Sequence, residues 1–126
     1  MGGEEEDATG HGQPTLRLRV VFGAAGQMGP GKADLLELIR ETGSISAAGR
    51  RMKMSYKRAW MLVETMNATF RTPLVERSRG GAQGGGARLT EAGEAALAHY
   101  RRLEARAEAA GAEDIAALAA LRGDPP

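Results

Sequence analysis

Two hydrophobic rhythms run along the chain. Leu16, Leu18, Val20 and Phe22 alternate with Arg17, Arg19 and Val21, a period of two that predicts a half-buried strand. A Gly/Pro loop spans residues 23–31. Over residues 32–42 the rhythm becomes helical: Leu35, Leu36, Leu38 and Ile39 build a broad apolar face, and Gly43 is the natural stop where the chain turns left-handed. Ser44 or Ser46 can cap the next helix, because a short hydroxyl satisfies an orphan backbone N–H. That helix is short and ends near Met52. Ser55 can cap another, running to about Phe70, with Ala59, Leu62, Val63, Met66 and Phe70 on one face. Pro73 lies just beyond it, where helices stop. Residues 74–78 and 87–89 are short strand candidates around the tip RGGAQGGG. Thr90 caps a last long helix, and Glu91 in its first turn suits the helix dipole. Leu97, Tyr100 and Leu103 give this helix an apolar stripe. Gly111 breaks it before a short helix over residues 114–122 that carries Ile115, Leu118 and Leu121.

The order strand, three helices, hairpin, helices predicts a mainly α fold with a small β-hairpin. It is a winged helix-turn-helix with an N-terminal strand and C-terminal dimerisation helices. Residues 1–14 read as a disordered, acidic tail, 15–90 as a winged helix-turn-helix DNA-binding domain, 91–122 as a C-terminal helical extension for dimerisation and 123–126 as a tail. The 126 residues suffice for one core without metal or disulfide. There is no cysteine, which excludes disulfides and thiolate chemistry. The opening MGGEEEDATGHGQP has no apolar core and is not a secretory signal. No apolar run is long enough for a membrane helix, so the expected compartment is the cytoplasm.

Charge sharpens this picture. The net charge is only +1, yet residues 44–90 hold nine basic residues against Glu64 and Glu76, a balance of +7. Each flank carries four basic and seven acidic residues, a balance of −3. A local excess of this kind points to a polyanionic partner. Two helices crossing through a tight turn need small residues where they approach, here Ala48 and Gly49. The helix beginning at Ser55 is then the candidate for a DNA major groove, its N-terminal residues meeting base edges and phosphates. The candidate DNA contacts are Ser44, Ser46, Ser55, Tyr56, Lys57, Arg58, Met61 and Thr65 on the helices. Arg77, Arg79, Gln83 and Arg88 join them from the hairpin. Ser55 serves equally as a plain cap, and the cations equally as a solvated surface. Trp60 has two readings, packing against the wing and stacking on a base, of which packing is preferred. The stripe of Leu97, Tyr100 and Leu103 also has two readings, closing its own core or forming a dimer seam with Leu16 and Leu18. The seam is favoured.

Other chemistries find little support. The glycine-rich tip leads into ARLT and lacks the Lys-Ser/Thr ending of a phosphate-binding loop. His11 and His99 have no ligand-spaced neighbours, so no metal is expected. No nucleophile, base and acid come together, so neither catalysis nor a cofactor is expected. A second reading makes the chain a stand-alone dimerisation module that partners a full-length regulator.

The motifs GSIS (43–46), MSYKRAW (54–60), ETMN (64–67), PLVER (73–77) and the glycine-rich run ending in LT (80–90), followed by Gly93, Tyr100 and Leu103, resemble one family. It is the N-terminal DNA-binding domain of the molybdate-responsive ModE-type transcription regulators, which is related to that of LysR-type regulators. The resemblance covers roughly residues 15–110. It implies a dimer that binds double-stranded DNA, with molybdate held by separate C-terminal domains. The chain ends after the linker helices, so molybdate is not expected to bind it. Two positions depart from the family pattern. Gly49 stands where alanine is usual, and Lys53 stands at a turn position where glycine is usual. A lysine in a left-handed turn costs on the order of 1 kcal/mol.

Overall fold

The computed structural model describes residues 13–78 and 86–123. The first ladder is shorter than the alternation predicts. Val20–Val21 (β1) pairs antiparallel with Gln27–Met28 (β2) across a single 3-10 turn at Gly23–Ala25. Residues 16–21 do keep alternating half-buried and exposed side chains. A strand extends only as far as its partner, however, and here the partner stops early. Helix α1 (Pro30–Thr42) starts two residues after β2, with Pro30 in its first turn, where proline's fixed φ and missing N–H cost nothing. The expected loop over residues 23–31 therefore contains a strand and the start of a helix. Near that start, burial and then the nearby Arg19 guanidinium hold the Lys32 ammonium below its usual pKa. Its Nζ donates to the Gln27 carbonyl at 3.1 Å.

Gly43 ends α1 at φ 74°, and its N–H donates to Ile39 O at 2.8 Å. Ser44, rather than Ser46, caps helix α2 (Ile45–Arg51) by accepting from Ala47 N at 3.0 Å. The turn after α2 places Lys53 at φ 60°, the single positive-φ residue other than glycine among the described residues. Ser55 then caps helix α3 (Tyr56–Thr69), accepting from Arg58 N at 3.1 Å. The α2–α3 approach is close. A Cβ added at Gly49 would stand 2.8 Å from Ala59 Cβ, so glycine permits this close approach.

The wing pairs Val75–Ser78 (β3) antiparallel with Gly86–Leu89 (β4), setting Val75 opposite Leu89 and Glu76 opposite Arg88. Three sets of bonds tie it to the helices. From α3, the Asn67 carboxamide accepts from Leu74 N (2.8 Å) and Val75 N (3.1 Å) and donates to Val75 O (3.1 Å). The Ala87 N–H donates to Gly43 O at 2.9 Å. Thr90 donates from its hydroxyl to Pro73 O (2.7 Å) and accepts on it from Gly93 N (3.0 Å). Thr90 therefore both closes the hairpin and caps helix α4 (Glu91–Ala110). Gly93 lies so near the wing that a Cβ there would land on the Leu74 carbonyl.

The chain divides into two compact units, Leu18–Arg102 being the larger. Its core is built on Leu35, Leu36, Ile39, Met66 and Leu74, all fully buried, and α4 adds Leu97 and Tyr100 at 3% and 4% exposure. The Tyr100 hydroxyl donates to Leu18 O at 2.7 Å. Two of the three stripe residues thus close their own core, the reading that was not favoured, while Leu103 is exposed. Leu16 and Leu18 are half-buried. The smaller unit contains the described residues 13–17 and 103–123. It includes helix α5 (Ala112–Leu121), which leaves Leu118 and Leu121 exposed at 68% and 80%.

Candidate nucleic-acid interface

The face of interest is the side of α3 turned away from the core. Ala59, Val63 and Met66 point inward, so the helical repeat turns Lys57, Met61 and Thr65 outward in one line, with Arg58 beside them. Tyr56 and Met61 are 60% and 55% exposed and add two large side chains to this face. The Thr65 hydroxyl donates to Met61 O at 2.9 Å, which leaves its lone pairs facing out. The α2 N-terminus adds Ser46, whose Oγ accepts from Arg50 Nη1 at 3.1 Å. Ser44 Oγ accepts the capping bond from Ala47 N, which leaves its own proton to donate. Ser55 caps as well but stays exposed.

Ion pairs thin the basic patch. Arg88 donates to Glu76 across the wing ladder at 2.7 Å, and Arg51 meets Glu41 at 3.5 Å. Arg77 instead lies over the Trp60 ring, 4.8 Å from its centroid, within cation–π range. The Tyr56 ring meets the same indole edge-on at 6.1 Å. Trp60 therefore packs against the wing, as preferred from the sequence. Arg79 and Gln83 lie outside the described residues. Among the described residues no three His, Asp or Glu side chains gather to hold a metal, and no helix is long and apolar enough to cross a membrane.

The sequence reading missed Asn67. It occupies the position four residues after Val63, on a stripe otherwise filled by apolar residues. A polar side chain on such a stripe must find buried partners, and here it holds the wing. The signal is the polar residue that ETMN sets on this apolar stripe.

A hairpin pinned beside the second helix of a helix-turn-helix, with one exposed face shared between them, defines a winged helix-turn-helix. Comparison with known proteins narrows the class. Residues 32–94 match the family of bacterial regulatory helix-turn-helix proteins, lysR family, and the chain belongs to that family. It is similar to the molybdenum-pterin-binding protein MopA of Rhodobacter capsulatus, with 46% identity over 93 residues, which is 73% of this chain and 35% of MopA. It is also similar to the molybdenum transport protein ModE of Azotobacter vinelandii, with 49% identity over 70 residues, 56% of this chain and 26% of ModE. The chain thus spans about a third or less of the length of these curated relatives. Among solved structures it resembles the CbnR_DBD-DNA complex at 27% identity, with a TM-score of 0.56, covering 70% of this chain and 95% of that one.

Proposed function

We propose that this chain is a sequence-specific double-stranded-DNA-binding transcription regulator of ModE-like type, acting in the cytoplasm and linked to molybdenum homeostasis. The observation that carries the reading is the outward line of Lys57, Met61 and Thr65, flanked by Arg58 and Tyr56, on the second helix of a helix-turn-helix. The structural neighbour with this plan was solved with DNA. Lys57 and Arg58 reach guanine edges or phosphates, and Met61 offers an apolar contact to a thymine methyl. Ser46, Ser55 and Tyr56 hold the flanking backbone. The molybdenum link rests on the names of the relatives.

The test is binding to genomic fragments selected by the protein itself, followed by anisotropy on the enriched duplex. Changing Lys57 and Arg58 together to alanine is expected to abolish preference for the selected sequence while leaving the fold intact by circular dichroism. Unchanged preference in that variant would sink the assignment of the recognition face.

The dimer belongs to the same proposal. Because Leu97 and Tyr100 are spent on the core, the seam rests on Leu103, Leu118 and Leu121, all exposed. Changing Leu118 and Leu121 to glutamate is expected to convert a dimer into a monomer in light scattering after size exclusion. A two-fold dimer would set its recognition helices about 34 Å apart, or a multiple of that, on a palindromic site.

A further inference from the structure

A pocket of about 160 Å³ opens between the start of α2, the start of α3 and the wing. Its lining is Ile45, Ser46, Tyr56, Trp60, Arg77 and Gly86. Four of these side chains can donate hydrogen bonds, and none is a carboxylate. The Arg77 guanidinium is steered here by its seat on the indole. Ser46 Oγ already accepts from Arg50, so its own proton is free to point elsewhere. The Tyr56 hydroxyl is on an exposed residue at the rim. The Trp60 Nε1 is buried and, among the described residues, has no hydrogen-bond partner. A buried indole N–H left unpaired is costly, and neither lining hydroxyl, Ser46 or Tyr56, takes its proton. The missing partner is an acceptor, and the guanidinium asks for a charged one.

We infer that this pocket seats one tetrahedral oxyanion, supplied in the complex by a DNA backbone phosphate. The inference rests on the proposed DNA binding and adds a specific phosphate register to it. Arg77 supplies the charge, while Trp60, Tyr56 and Ser46 supply neutral donors that fix the angle. Because the donors come from α2, α3 and the wing, the seat sets how deep α3 sits in the groove. An inorganic oxyanion has the same chemistry and is the competing source.

The experiment separates charge from hydrogen bonding. Trp60→Phe keeps an aromatic ring beneath Arg77 but removes the N–H. Tyr56→Phe removes one exposed hydroxyl and leaves the fold untouched. Arg77→Gln removes the charge. Each is titrated by anisotropy against a labelled mixed-sequence duplex over a range of salt concentrations. Trp60→Phe is expected to weaken binding about tenfold and Tyr56→Phe about threefold, both without change in the salt slope. Arg77→Gln is expected to weaken binding and to reduce the slope by about one ion. Wild-type affinity in both aromatic variants, or an unchanged slope in Arg77→Gln, overturns the seat while leaving DNA binding standing. Should the wild-type protein bind no duplex, the proposed function falls and the seat is judged alone. Trp60 is the sole tryptophan, so its emission is then followed during titration with inorganic phosphate. A saturable change lost in Arg77→Gln supports a free-oxyanion site, and no change overturns the seat.

Discussion

Lys53 holds a conformation that lysine dislikes, with φ at 60° in the turn between α2 and α3. The turn persists because bonds on both sides over-determine it: Lys53 N donates to Arg50 O at 2.9 Å and Met54 N to Gly49 O at 3.0 Å. Glycine would relieve the Cβ strain but loses more freedom on folding. Lys53→Gly is therefore expected to stabilise the protein by only about 0.5 kcal/mol, read from the midpoint of urea unfolding. Gly93 behaves in the opposite way. Its φ is unremarkable, and what forbids a side chain is the Leu74 carbonyl in the space a Cβ would fill. Gly93→Ala gains helix propensity but must push the wing away, with an expected net loss of about 2 kcal/mol in the same measurement. The strain at Lys53 could be anticipated through the family resemblance, in which glycine is usual at this turn position. The constraint at Gly93 could not, because nothing local to α4 says that a distant carbonyl comes to rest there.

At the scale of elements, the caps and stops were the most legible features. Ser44, Ser55, Thr90 and Gly43 all sit at helix boundaries for reasons local to a few residues. The N-terminal strand is shorter than its alternation predicts, because its extent depends on a partner that the pattern does not reveal. The wing illustrates the same limit. Its strands were visible as short apolar runs, but its attachment to α3 through Asn67 is a tertiary fact. Asn67→Ala leaves the Leu74 and Val75 N–H groups and the Val75 carbonyl short of partners. The expected cost is about 2 to 3 kcal/mol. Asn67→Asp keeps the acceptor oxygens and loses only the donor, so it should cost less, and chemical denaturation of the pair will show the order.

At the scale of the molecule, the concentration of charge in residues 44–90 overstates what is free to meet a polyanion. Arg88 and Arg51 already face carboxylates. Exposed pairs of this kind contribute little to stability, but they do not release counterions in proportion to a bare count. The salt dependence of binding is therefore expected to be shallower than nine cations would give. Glu76→Gln, which frees Arg88, should steepen the log–log slope by up to about one ion per protomer. An unchanged slope would show Arg88 to be remote from the bound strand. Which of the cations were already paired was not legible in the sequence, because the pairing depends on the wing register that sets Glu76 opposite Arg88.

The hydrogen bond from the Ala87 N–H to Gly43 O has a kinetic consequence. It joins wing strand β4 to the hinge between α1 and α2, and Ala87 itself is 3% exposed. A hairpin held only by its own ladder would exchange its amide protons with solvent through local fraying. This amide can exchange only when the helical core opens with it, so it should share the slowest protection class with the amides of α1 and α3. The wing and the helix-turn-helix then melt as one cooperative unit, and hydrogen–deuterium exchange at Ala87 reports the opening of the whole winged domain.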